Sequence, residues 1–394
     1  MPEKPERSCF NKRFSPKSRA RFVLLLCLFI FSALSLADYM ASAASTPARP
    51  ALYPPPAATE TSTPFLPAIS PSPRAPASRQ CIWEGVEKII AIGDLHGDYE
   101  HFITILKNED IKLIDDRGHW IGGKTHLVQI GDVLDRGDKA KDIFNLIKSL
   151  EKEAAEAGGM VHMLIGNHEE INIMGYYFDY PDYWTIAQFL DFLPDDYKKK
   201  KEREFKKRTE DSGNIDAEWL KLMKEPGEGR DNYNMNFNWL YGRWIAEEHN
   251  AVIKINDTVF VHGGISEKYS TWKLKDINNL YYKEFQDHFR REDQVENYRA
   301  KIIFNPEGPL WYRDLAVWAE QPFASQVNKI LANLGAKQIV IAHTPIIQDV
   351  PSRFGYKVWL VDTGISSAYR RAGGFLSALI IENGNLPHRW MPKY

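Results

Sequence analysis

Five short strings, each closing an apolar run, constrain this chain more than any other feature. They are Gly93-Asp94-Leu95-His96-Gly97, Gly131-Asp132-Val133-Leu134-Asp135-Arg136-Gly137, Gly166-Asn167-His168-Glu169, Val261-His262-Gly263-Gly264 and Ala342-His343-Thr344-Pro345. The runs before them, Lys88 to Ile92, Leu127 to Ile130, Val161 to Ile165, Thr258 to Val261 and Gln338 to Ala342, read as buried strands. Polar and ionisable residues are therefore expected where strands end. In α/β sheets that edge gathers the loops and binds ligands, so positions far apart in sequence converge there. Glycine beside Asp or Asn in the first three strings permits a sharp turn and keeps bulk away from the polar side chain.

The residue types then select a chemistry. Asp94 and His96 lie two apart, so in an extended segment both side chains point the same way and can share a cation. Asp132 has two carboxylate oxygens and can bridge two cations, Asn167 offers a neutral oxygen, and His262 and His343 offer imidazole nitrogens. Mixed oxygen and nitrogen ligands without thiolate suit manganese, iron or zinc in a reactive site better than a structural zinc cage. Two such ions at roughly 3.5 to 4 Å would hold a bridging hydroxide and clamp phosphoryl oxygens during in-line attack. Arg136 presents a planar, permanently charged fork to phosphate. His168 follows Asn167 directly, which suits a general acid that protonates the leaving oxygen, and Asp135 is placed to orient it. A second phosphate-binding arginine is Arg313, in the otherwise apolar stretch Gly308-Pro309-Leu310-Trp311-Tyr312-Arg313, with a structural pairing to Asp314 as the competing role.

The strings Gly-Asp-x-His-Gly, Gly-Asp-x-x-Asp-Arg-Gly and Gly-Asn-His-Glu, followed by two separated histidines, resemble the phosphoprotein phosphatase branch of the calcineurin-like metallophosphoesterases. The resemblance spans about Ile89 to Ile381. It implies that Asp94, His96 and Asp132 hold a first divalent metal ion and that Asp132, Asn167, His262 and His343 hold a second. It also implies phosphate contacts from Arg136, Asn167, His168 and Arg313, with Asp135 supporting His168. Eukaryotic serine/threonine members carry Ser-Ala-Pro-Asn-Tyr near the C-terminus, where this chain has Val361-Asp362-Thr363-Gly364-Ile365-Ser366. That departure is more similar to the Shewanella-like phosphatases and, more loosely, to bacterial diadenosine tetraphosphatases. Phosphotyrosine, phosphoserine or phosphothreonine in a protein is the expected substrate, and a dinucleoside polyphosphate or other small phosphoester is the alternative. A non-catalytic binding protein is disfavoured because every proposed ligand and His168 is present. No Cys-x5-Arg loop of a thiol-based phosphatase occurs.

A formal charge of −2 over 394 residues argues against a nucleic-acid partner. Residues 1 to 43 hold a basic stretch ending at Arg21, the apolar run Phe22 to Ala37 and the small-x-small pattern Ala41-Ser42-Ala43, which reads as a signal peptide for export. A membrane anchor over residues 22 to 37 is the alternative, since about 17 to 25 apolar residues span a bilayer. Residues 44 to 80, rich in Pro, Ala and Ser, read as a disordered linker. After cleavage Cys81 stands alone, so no internal disulfide is available.

Residues 81 to 394 form the expected catalytic domain, an α/β fold of two mixed sheets packed face to face with helices outside, four layers in the order αββα. Residues 175 to 250 carry no motif and many aromatic and charged residues, and read as a helical cap beside the metals, its lysine run from Lys198 to Lys201 a solvated face. The aromatics Trp272, Tyr281, Tyr282, Phe285 and Phe289 read as core. Lys357 to Val361 and Ser377 to Ile381, the latter followed by the turn Glu382-Asn383-Gly384-Asn385, are expected to complete a second sheet. His101, His119, His126, His162, His249, His288 and His388 lack ligand context and read as surface or core histidines, with His162 alternating into the core of a strand.

Overall fold

A computed structural model describes residues 79–176, 182–209, 213–290, 302–346, 350–372 and 374–392. The export or anchor segment, almost all of the linker and part of the expected cap, including Tyr177, Phe178 and Tyr180, lie outside the described residues. No helix among the described residues is long and apolar enough to cross a membrane.

All five apolar runs are strands. β1 (Ile82–Trp83), β2 (Lys88–Ile92), β3 (His126–Gln129), β4 (Met160–Met163), β5 (Val252–Ile255), β6 (Thr258–Val261), β7 (Gln338–Ile341), β8 (Ser352–Arg353), β9 (Val358–Leu360), β10 (Ala378–Glu382) and β11 (His388–Trp390) make two mixed sheets. One runs β11-β10-β2-β3-β4 and the other β1-β5-β6-β7-β9-β8. In the first, β2, β3 and β4 are parallel, with β10 antiparallel to β2. In the second, β6, β7 and β9 are parallel.

Parallel neighbours need crossover connections, and amphipathic helices supply them. Helix Tyr99–Lys107 joins β2 to β3 and buries Phe102, Ile105 and Leu106; its N-cap Asp98 accepts the His101 N–H at 3.0 Å. Helix Ala140–Glu156 joins β3 to β4 and buries the stripe Ile143, Phe144, Ile147, Leu150 and Ala154. Each sheet therefore contributes three parallel strands, with the carboxyl ends of β2, β3, β4, β6, β7 and β9 facing one place.

The two late strands do not share a sheet as their order suggests. β9 extends β7, whereas β10 pairs with β2 in the other sheet, with Ile380 opposite Ile90. Alternation alone does not say which neighbour a strand takes. Beyond β10 the turn is as read: Asn383 and Gly384 both have positive φ, and the Asn385 N–H donates to the Glu382 carbonyl at 2.9 Å before the chain returns as β11.

The region after residue 182 is helical: Ile186–Phe192, Asp195–Arg208, Ile215–Lys224, Glu228–Phe237, a π turn Asn238–Gly242 and Arg243–Glu248. In Asp195–Arg208 only Phe205 is buried, packed edge-on against Trp219, and Lys199, Lys200, Lys206 and Lys207 face solvent. Tyr281 and Phe285 are core residues, but Trp272 is exposed, because it lies in the turn before helix Leu274–Phe289.

Candidate metal centre

The carboxyl ends of β2, β3, β4, β6 and β7 deliver Asp94 and His96, Asp132, Asn167, His262 and His343 into one buried cluster. Turning these side chains inward takes unusual backbone. Of ten non-glycine residues with positive φ among the described residues, five are His96, Asp132, Asp135, Arg136 and His343. Strain of that kind persists only where surrounding contacts hold it. Two glycines show how tight the crossing is. A Cβ on Gly93 would sit 2.2 Å from the Val361 carbonyl oxygen, where the sheets meet, and one on Gly166 would sit 2.2 Å from Asp132 Oδ1.

Asp132 lies at the centre. Its Oδ1 is 3.2 Å from His262 Nε2, and its Oδ2 is 3.8 Å from His168 Nε2 and 4.0 Å from His96 Nε2. Possible ligand atoms of Asp132, His262 and His343 lie within 4.8 Å of one another, as do those of Asp132, His96 and His168. Asp132 thus belongs to both groups. Asp94 Oδ2 is 3.9 Å from His96 Nε2, its Oδ1 accepts the His343 N–H at 3.4 Å, and Asn167 Oδ1 is 2.9 Å from His262 Nε2.

Electrostatics in the cluster are unbalanced in a way that a cation would relieve. Burial, then Asp362 and Asp132, push the Asp94 carboxyl well above the usual carboxylate range. Burial pushes Asp362 up as well. Asp132 goes the other way: burial raises it, but His262, His168 and His96 outweigh that and hold it well below. Burial and the Arg313 charge hold His343 well below its ordinary pKa, and its buried Nε2 has no hydrogen-bond partner. A neutral imidazole nitrogen aimed without a partner into a group of buried carboxylates fits a divalent metal ion. His96 and His262 each spend Nδ1 on a backbone carbonyl, Leu134 at 2.8 Å and Ile130 at 2.7 Å, which leaves Nε2 for the cluster.

Next to the cluster, His168 Nδ1 is 2.5 Å from Asp135 Oδ2. Asp135 is fully buried and also accepts from Gln188 Nε2 at 2.8 Å and from Asn172 Nδ2 at 3.2 Å, while its own N–H donates to Gln188 Oε1 at 2.7 Å. Asn172 Oδ1 in turn accepts from Trp184 Nε1 and the Tyr233 hydroxyl. Arg136 Nε reaches His96 Nε2 at 3.2 Å. Arg313 does not pair with Asp314. Its Nη1 donates to the His343 carbonyl at 2.9 Å and to Thr344 Oγ1 at 3.0 Å, so its charge stands beside the cluster.

Several further residues have clear parts in the site. Glu169 follows Gly166 at capping-box spacing and is wholly buried. Its Oε2 accepts from the N–H of Asp132 at 2.8 Å and Gly166 at 2.9 Å, and its Oε1 from Val133 at 2.9 Å and Leu134 at 3.2 Å. One carboxylate therefore ties the Asp132 loop to the Asn167 loop. Asp362 follows β9 as the other site residues follow their strands, and that placement was the available signal. Gln188 and Asn172 had no local signal. The other histidines stay out of the cluster: His162 is buried against His126 and the Trp83 ring, and His249 bonds Glu151.

Residues 87–346 match the calcineurin-like phosphoesterase family. A "Shewanella-like protein phosphatase 1" of Plasmodium berghei is 30% identical over 72% of this chain and 68% of its own length. An uncharacterized protein of Schizosaccharomyces pombe is 29% identical over 71% of this chain and 74% of its own. Among solved structures, a cold-active protein-tyrosine phosphatase of a psychrophilic Shewanella species superposes with a TM-score of 0.56 at 26% identity, covering 80% of this chain and 83% of that one.

Proposed function

The chain belongs to the calcineurin-like phosphoesterases and is a metallophosphatase, and from that premise we propose that it is a two-metal protein phosphatase acting on phosphotyrosine, phosphoserine or phosphothreonine. One observation carries the reading: Asp132 stands in both possible ligand groups, beside a buried histidine and aspartate pair. The names of the similar phosphatases support protein substrates.

In this reading Asp94, His96 and Asp132 hold one ion, with Asp362 beside Asp94, and Asp132, Asn167, His262 and His343 hold the other. Manganese, iron or zinc suits such ligands. When bound, the pair would activate water and neutralise charge on the phosphoryl oxygens. The chain's own residues do the rest. Arg136 and Arg313 bring fixed positive charge to those oxygens without a proton to lose. His168 gives a proton from Nε2 to the leaving oxygen, and Asp135 keeps the opposite nitrogen protonated and the ring aimed. Gln188 and Asn172 hold the Asp135 carboxylate in place. Residues 1 to 43 act, in the same reading, as an export signal, or as an anchor through residues 22 to 37.

Turnover by the full chain with manganese, measured on a phosphotyrosine peptide, a phosphoserine peptide and diadenosine tetraphosphate, tests the assignment. Hydrolysis of at least one phosphopeptide ahead of the dinucleotide is expected. Turnover of the dinucleotide alone would move the protein to the small-molecule phosphohydrolases.

A further inference from the structure

We propose that Tyr183 and Tyr369 are positioning residues whose rings flank Arg136 and set the direction in which its guanidinium meets phosphate; the inference rests on the phosphatase reading above. The Arg136 guanidinium carbon lies 4.6 Å from the centre of the Tyr183 ring and 5.5 Å from that of Tyr369. Both rings are half-buried. Tyr183 also packs on His168, with ring centres 4.8 Å apart, and Tyr369 approaches His96 at 6.0 Å.

Each tyrosine is anchored where the argument needs it. The Tyr183 carbonyl accepts the Arg136 backbone N–H at 2.7 Å, so one residue holds this arginine by main chain and side chain together. That grip matters because Asp135 and Arg136 both have positive φ, at 71° and 67°, a turn that does not hold itself. Tyr369 arrives on the turn Ser367–Ala372, beyond Asp362. That turn is pinned to the Asp94–His96 loop: Ser367 N–H donates to Asp98 Oδ2 at 2.7 Å, and Ser366 Oγ to the His96 carbonyl at 3.3 Å.

The chemistry explains why rings are used. Among the described residues Arg136 makes no ion pair with a carboxylate, and its only side-chain hydrogen bond is through Nε. A carboxylate would orient the guanidinium but compete with phosphate for its N–H fork. A ring face attracts the cation electrostatically and leaves the fork free. The clamp therefore needs an aromatic face and no hydroxyl group. Phenylalanine should serve at either position, and leucine of similar bulk should not.

Steady-state kinetics on a phosphomonoester, with inorganic phosphate as competitive inhibitor, tests this on the full chain with manganese. Tyr183→Leu and Tyr369→Leu are each expected to weaken phosphate inhibition about tenfold, the worth of a partly desolvated cation–π contact. KM should rise in parallel, and the phenylalanine variants should recover most of the loss. In an Arg136→Gln background the same leucine substitutions should add almost nothing. If Tyr183→Leu does not fold, as judged by its thermal transition, Tyr369→Leu carries the test. Leucine and phenylalanine variants behaving alike, or a leucine effect that survives Arg136→Gln, would overturn the clamp. Wild-type protein inert toward every phosphomonoester would instead overturn the phosphatase reading.

Discussion

His168 Nδ1 and Asp135 Oδ2 are 2.5 Å apart in a site with no room for water between them, and Gln188 and Asn172 bind the same carboxylate. The contact fixes the direction of the imidazole ring, with Nδ1 turned to the carboxylate and Nε2 toward the cluster.

Asp135→Asn removes the carboxylate charge and one of its two accepting oxygens while conserving shape. Turnover of a phosphoserine peptide is expected to fall by about two to three decades, within the two to four decades that general acid catalysis supplies. An aryl phosphate, whose leaving group needs little protonation, should lose far less. His168→Ala should show the same contrast. Comparing kcat for the two substrates checks it, and equal losses on both would mean that Asp135 only holds the fold together.

Metal removal should cost stability as well as activity, because Asp94 and Asp362 then crowd a buried space beside Asp132. Saturation at about 100 times Kd stabilises by about 2.7 kcal/mol, and a domain of this size moves by roughly 2 °C per kcal/mol. A chelator is therefore expected to lower the thermal midpoint by about 5 °C. Asp362→Asn, which deletes one of the crowded charges, should narrow the gap between loaded and stripped protein. Scanning calorimetry with and without manganese reads both, and a midpoint indifferent to metal would refute the site.

Acid should weaken the fold through His162. Burial, then the nearby His126 and His249, depress its pKa to about 3. Folded, the ring stays neutral while the unfolded chain protonates it below about 6.5. Stability is thus retained above pH 6.5 and lost progressively as pH falls toward 3, by about 1.4 kcal/mol per unit at most. His162→Gln should flatten the pH dependence of the denaturant midpoint between pH 6.5 and 4.5. A variant with the wild-type slope would assign the acid sensitivity elsewhere.

What could be read from sequence was whatever depended on chain direction alone. A strand of Ile and Val, then a glycine, then Asp94, Asp132 or Asn167, places a ligand at a sheet edge without knowledge of the neighbour. His262 and His343 likewise follow their strands, without the glycine. Asp362 does so too, after Val358–Leu360, but stood out only as a departure from a motif. The misplacement of β10 has the same origin in reverse, since pairing with Ile89–Ile92 is a choice among edges that no local pattern encodes. Gln188, Asn172, Tyr183 and Tyr369 act through contacts between segments distant in the chain, and their identities are common in helices and turns.

The bond from Gln188 to Asp135 has a consequence for how such a protein can change. The short helix Ile186–Phe192, which lies outside the strand-end motifs and packs through Phe189 and Phe192, here also carries a strut of the proton donor. Remodelling its first turn to alter recognition would slacken the acid in the same stroke. Lineages that shift target preference should therefore do so with that turn preserved, editing the outer helices around it.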